Sequence, residues 1–214
     1  GTVVGSVSAT DQDRADSLTY SIISSNPVSA FAIDAVSGQI QVINSSMLNY
    51  EAMTSITLSI RVTDTGGLTD TQLITISIND VNESPTDLFL SGGVVAENSA
   101  GGTFVGNVSG SDPDAGDVLQ YTLLNNGGGR FVVDATTGTI RVAAGALLNY
   151  EVVNTHLVTV RTTDVHGLSY DESFVIRVTD VNDAPVATSD TYTALQIQTL
   201  NAVSGVLVND YDED

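Results

Sequence analysis

Acidic residues recur along this chain at a fixed distance. Asp11-Gln12-Asp13 returns as Asp112-Pro113-Asp114, Glu51 as Glu151, Asp64 as Asp164 and Asp80 as Asp180. The offset is 101 for the first set and 100 for the others. Carboxylates gathered in one place repel, which opposes folding unless a cation neutralises them. A donor set of hard oxygens without His or Cys points to calcium, which takes about 6–8 oxygens at about 2.3–2.6 Å. Magnesium prefers fewer protein ligands and more water.

The rest of the composition narrows the chemistry further. There is no cysteine, which excludes a disulfide scaffold, a thiolate metal site and a cysteine nucleophile. The 26 acidic residues face only six cations, all arginine and scattered, for a net charge of −20. Nucleic-acid and anionic membrane partners both need clustered basic residues and are excluded on sign. No run of 18 apolar residues occurs, so no direct membrane insertion is expected. Catalysis finds no support, because no Gly-x-Ser-x-Gly, His-Glu-x-x-His or phosphate-loop motif is present. The chain starts without a basic leader and stops at the acidic Asp210–Asp214, and is expected to be a segment of a longer protein.

The elements that must position these acids repeat with them. Residues 31–85 align without a gap onto 131–185 with 20 identities in 55 positions. Inside each repeat the period is two: Ile56, Leu58, Ile60 and Val62 alternate with Thr57, Ser59, Arg61 and Thr63. Such alternation marks half-buried strands, and the Gly, Asn, Asp and Ser clusters between them mark turns. About seven short strands per repeat predict an all-β fold of tandem antiparallel Greek-key β-sandwiches. The expected domains are 1–85, lacking its first strand, then 86–185, then the start of a third repeat over 186–214. Asp34 and Asp134 are expected to open hairpin turns closed by Gly38 and Gly138 at positive φ. The tract Asn125–Gly129 reads as a flexible hairpin loop. His156 replaces Ile56 and is expected at a strand end, and Tyr50 and Tyr150 in the core.

Taken in order, the motifs resemble the cadherin repeat in its bacterial form. Ala96-Glu97-Asn98 is similar to the family's first-strand Glu. Leu48-Asn49-Tyr50-Glu51 and Leu148-Asn149-Tyr150-Glu151 match L-D-R/Y-E with Asn replacing Asp. Asp11/Asp13 and Asp112/Asp114 match D-x-D, and Thr63-Asp64 and Thr163-Asp164 match A-x-D-x-G. Asp80-Val81-Asn82-Glu83-Ser84-Pro85 and Asp180-Val181-Asn182-Asp183-Ala184-Pro185 match D-x-N-D-N-x-P, each one residue short. The segment around Asn209-Asp210 looks like a related repeat from large bacterial surface proteins.

The resemblance implies calcium held between consecutive repeats. The first junction would use Asn49, Glu51, Asp80, Asn82 and Glu83 with Asp112, Asp114 and Asp164. The second would use Glu97, Asn149, Glu151, Asp180, Asn182 and Asp183 with Asp210 and Asp212. Asp11, Asp13 and Asp64 would serve an upstream junction. Fifteen of the 26 acidic residues fall on these positions. The two Asn replacements and the short links imply fewer ions or weaker sites, near the ~10⁻⁴–10⁻³ M of extracellular modules. The implied role is a calcium-rigidified segment of a bacterial cell-surface adhesin, extracellular, acting as an extender and in cell adhesion. Its candidate partners are neighbouring repeats, another cell-surface protein, a second copy of itself, or a polysaccharide. The alternative function is a carbohydrate-binding module, disfavoured by 6% aromatics and no tryptophan.

Overall fold

Apolar residues spaced two apart bury one face of a strand, and a sandwich forms when two such faces meet. The computed structural model describes residues 1–13, 17–25 and 30–189. Within these the chain forms two units, Gly1–Asn82 and a second beginning at Glu83. The first contains β1 (Thr2–Ser6), β2 (Thr19–Ser25), β3 (Phe31–Ile33), β4 (Gln39–Val42), β5 (Ser55–Thr63) and β6 (Thr69–Ser77), with a 3₁₀ turn at Ser45–Met47. Its sheets run β1-β4-β3 and β2-β5-β6. Ile56, Leu58 and Ile60 of β5 point into the core and their polar neighbours point away, as the alternation requires.

The second unit is built from β7 (Asp87–Gly92), β8 (Val94–Ala96), β9 (Phe104–Ser111), β10 (Gln120–Asn126), β11 (Phe131–Val133), β12 (Thr139–Val142), β13 (Thr155–Thr163) and β14 (Ser169–Thr179). Its sheets run β11-β12-β9-β7 and β10-β13-β14-β8. Among the described residues every strand pairing in this unit is antiparallel except one: β8 runs parallel to β14. The cause is a change of sheet. Gly92 and Gly93 have φ of 98° and 86°, a conformation open to glycine, and there the chain leaves β9 for β14. The expected first strand is therefore two short ones, one in each sheet. Leu88 and Val95 carry them into a core that includes Val108, Phe131, Ile140, Val158 and Ile176.

Among the described residues the first unit has no counterpart of β7 or β8. β1 is exposed along its whole length, with Val3 at 52%. A groove of about 540 Å³ lined by Val7, Tyr20, Ile60 and Ile74 lies open. In the second unit the corresponding Val108, Tyr121 and Val160 share one core with Leu88 of β7.

Two expectations about loops meet different outcomes. Asp34 and Asp134 do open hairpins: each Oδ1 accepts two backbone N–H groups, and Gly38 and Gly138 sit at φ 68° and 69°. The Asn125–Gly129 tract does not form a hairpin. It joins β10 in one sheet to β11 in the other, so it crosses the sandwich. Most of residues 186–214, read above as a third repeat, lie outside the described residues.

His156 is the second residue of β13, at the strand end expected, yet it is buried at 7%. Its ring stands edge-on to Phe131 at 5.7 Å, and Nε2 has no hydrogen-bond partner among the described residues. Burial, with the nearby Arg130 charge, lowers its pKa from the ordinary 6.5. The unfolded chain then binds a proton that the folded one refuses, so stability is full above pH 6.5 and is lost as pH falls below it. His156→Ile, which restores the residue of the first repeat, is expected to flatten this dependence. Urea melts at pH 7 and pH 5 check it. An equal loss at pH 5 in both proteins would exclude His156 as the cause.

Candidate metal centre

The first acidic cluster of the second unit follows β9. Asp112 Oδ1 accepts the Asp114 N–H at 3.0 Å, an Asx turn that bends the chain at once. The same turn forms in the first unit, where Asp11 Oδ1 accepts the Asp13 N–H at 2.8 Å. Asp117 returns toward the turn by donating its N–H to the Asp114 carbonyl at 3.2 Å. Carboxylate oxygens of Asp112, Asp114 and Asp117 consequently lie within 4.8 Å of one another. The hydroxyl of Tyr121 accepts the Gly110 N–H at 3.0 Å and pins the strand just before the turn; Tyr20 does the same to Ala9 at 3.0 Å.

Asp164, in the β13–β14 turn, adds a further negative charge that Asp117 feels. Asp164 is 6% exposed, and its Oδ1 accepts the N–H groups of His166 and Leu168 at 2.8 and 2.9 Å. Asp64 makes the equivalent bond to Leu68 at 2.8 Å. Burial first, then the negative charges of Asp112, Asp114 and Asp164, push the Asp117 carboxyl above its ordinary value, with His166 opposing. Asp112 Oδ2 and Asp117 Oδ2 each expose under 1 Å² and have no hydrogen-bond partner among the described residues. An anionic oxygen buried without a donor is costly, and a bound cation removes the cost. The residues fit a hard divalent ion.

The second cluster follows β8. Glu97 is 2% exposed, and each of its oxygens accepts a backbone N–H at 2.8 Å, Oε2 from Tyr150 and Oε1 from Val181. These two bonds hold its pKa down. Oxygens of Glu97, Glu151 and Asp183 lie within 4.8 Å of one another. A hydrogen bond from its own backbone N–H lowers the Glu151 carboxyl, but burial and the charges of Glu97 and Asp180 outweigh it and leave the pKa raised. Asn98, at φ 56°, donates its Nδ2 to Asp183 Oδ1 at 3.2 Å. Asn182 Nδ2 donates to the Asp183 carbonyl at 2.6 Å.

Asn49 and Asn149 direct their Oδ1 atoms at the backbone N–H groups of Ala52 and Val152, at 2.6 and 2.7 Å. They hold the turns that carry Glu51 and Glu151. In the first unit, oxygens of Glu51 and Asp80 approach within 4.8 Å; in the second, so do those of Glu83 and Asp114. The Glu83 N–H also donates to Asp114 Oδ2 at 2.8 Å. Asp11, Asp13 and Asp64 line one open hollow of about 420 Å³. Asn82 is half-buried at the end of the first unit. Asp210 and Asp212 lie outside the described residues.

Sequence reasoning passed over Asp117 and the two tyrosines. A signal for them was present: Asp-x-Asp-x-x-Asp-x-x-x-Tyr reads from Asp11 to Tyr20 and again from Asp112 to Tyr121.

Comparison with known proteins yields one family. The Cadherin domain model matches residues 1–79 and 92–192. Cadherin-87A of Drosophila melanogaster is 34% identical over 206 residues, which is 90% of this chain and 10% of that protein. Protocadherin-23 of Homo sapiens is 32% identical over 195 residues, 87% of this chain and 6% of that protein. Among solved structures, mouse Cadherin-23 EC22-24 aligns at a TM-score of 0.65 and 26% identity, covering 86% of this chain and 62% of that one. Protocadherin Gamma B2 extracellular cadherin domains 3-6 align at the same TM-score and 26% identity, covering 87% of this chain and 44% of that one. The chain thus spans a tenth or less of both curated relatives.

Proposed function

The chain belongs to the Cadherin domain family, and from that premise we propose that it is a calcium-rigidified, extracellular segment of an adhesive surface protein. One observation carries the proposal: in the second unit both links are tied to acidic clusters. The incoming link is bonded at Glu83 to Asp114, and the outgoing link at Val181 to Glu97. β14, with 11 residues, spans the interval between the two clusters, roughly 35 Å. A cation bound at either cluster would therefore fix a link and not merely decorate a surface.

In this reading the first junction draws on Glu51, Asp80, Asn82 and Glu83 and on Asp112, Asp114 and Asp164. The second draws on Glu97, Glu151, Asp180, Asn182 and Asp183, completed by Asp210 and Asp212. Asp11, Asp13 and Asp64 await an upstream repeat, and Asn49 and Asn149 shape the turns. When bound, calcium supplies charge neutralisation and a rigid coordination shell. The protein's own groups do the rest: the Asx turns aim the carboxylates, and the link N–H groups bind to them. Without the ion, repulsion makes each link a hinge.

A stiff array of such units holds a binding tip away from a cell or meets a like array on another. We assign the parent protein to a bacterial surface. That part rests on the resemblance of the ordered motifs to the bacterial form of the repeat, and of the segment around Asn209-Asp210 to repeats of large bacterial surface proteins.

Small-angle X-ray scattering of the chain in EGTA and in millimolar calcium tests the proposal. The maximum dimension is expected to rise and the profile to sharpen with calcium. Identical profiles under both conditions would overturn the rigidifying role.

A further inference from the structure

Resting on the calcium reading above, we infer that the Asp117 side chain is itself a metal ligand, so that the second unit builds a four-carboxylate site from Asp112, Asp114, Asp117 and Asp164 alone. The position is absent from the motifs that identify the family in this chain, and three observations single it out. An oxygen of Asp117 lies within 4.8 Å of oxygens of Asp112 and Asp114. Its Oδ2 exposes under 1 Å² and meets no donor among the described residues, and the same is true of Asp112 Oδ2. Two buried anionic oxygens without donors in one cluster are an arrangement that a bound cation would satisfy.

Turn chemistry alone does not account for Asp117. The Asp112 Oδ1 bond to the Asp114 N–H already makes the turn, and Asp117 contributes to it only its backbone N–H. An asparagine would hold the same backbone without adding repulsion. The first repeat also has aspartate at the matching place, Asp16, three residues after Asp13 as Asp117 is after Asp114.

Four carboxylates offer up to eight oxygens and four negative charges, the hard, charge-rich set that raises affinity for calcium over magnesium. One ion could then bind before any residue of the first repeat takes part.

The test is calorimetric titration of the full chain and of Asp117→Asn with calcium chloride, with thermal melts of both in EGTA. The substitution keeps shape and removes charge. Wild type is expected to bind calcium; Asp117→Asn is expected to lose about tenfold or more in affinity at one site. Its calcium-free form is expected to melt above wild type, because a repelling charge is gone. A purely structural role would not move both quantities in opposite directions. Wild-type titration with unchanged calcium affinity in Asp117→Asn would overturn the inference and leave the calcium reading standing. No calcium uptake by wild type would overturn both.

Discussion

Replacing Glu97 by alanine is expected to shrink the calcium-dependent rise in the melting temperature of the second unit to the share supplied by the Asp112 cluster, and to weaken its outgoing site about 100-fold. The calcium-free midpoint should also fall, by about 5–15 °C. The two effects have separate causes. Glu97 lies within 4.8 Å of Glu151 and Asp183, so its loss removes the most buried member of that cluster. Its two oxygens also satisfy the Tyr150 and Val181 N–H groups, which would be left without acceptors. Glu97→Gln separates the causes, because the amide oxygen can still accept one N–H while the charge is gone. It should recover much of the calcium-free stability and little of the calcium response. Differential scanning calorimetry in EGTA and in calcium reads both. An intact calcium response in Glu97→Ala would remove this residue from the site.

Gly138→Ala is expected to destabilise the second unit by about 2–5 kcal/mol. The residue sits at φ 69°, and a Cβ there would strike the Val108 carbonyl oxygen. That strand edge cannot yield easily, since the Val108 N–H donates to the Gly138 carbonyl at 2.9 Å. Gly38→Ala should do the same to the first unit, where the obstacle is the Val7 carbonyl. Chemical denaturation of each variant reads the shift. A change under about 0.5 kcal/mol would show that the hairpin relaxes to admit a side chain.

The sandwich fold was legible because alternation is a direct image of burial. Ile56, Leu58 and Ile60 lie inward for the reason that their spacing announces. The hairpins at Asp34 and Asp134 were legible because Asx-turn chemistry and a φ-positive glycine are local. Sheet membership was not. The loop after Asn126 and the turn after Asp134 use the same residue types, but one crosses the sandwich and the other does not. Only long-range pairing distinguishes them. The splitting of the first strand escaped notice for the same reason, since Gly92-Gly93 reads equally as a turn.

At the acidic clusters, the repeat offset singled out Asp112, Asp114 and Glu151 before any coordinates, and the resemblance to the cadherin first strand singled out Glu97. Neither revealed that Glu97 is almost wholly buried, because carboxylates are rarely so and nothing in Ala96-Glu97-Asn98 marks the exception. Asp117 was passed over because a lone aspartate after Gly116 has an ordinary explanation in turn chemistry. His156 reads as a strand residue, but its burial follows from Phe131, 25 positions away in sequence.

The sheet change at Gly92-Gly93 has a mechanical consequence. It lays β8, which leads back to the incoming link, alongside β14, which leads to the outgoing one, and the two run parallel. Tension applied along the chain pulls these strands past each other lengthwise. Their hydrogen bonds are then loaded together in shear and do not open one at a time like a zipper. The pairing is short, from Val94 to Ala96 on one strand, but the Glu97 carboxylate extends it by gripping Val181 just beyond the end of β14. Forced unfolding is a rate governed by its barrier. In a pulled array, therefore, Glu97 and whatever cation it holds stand at the latch.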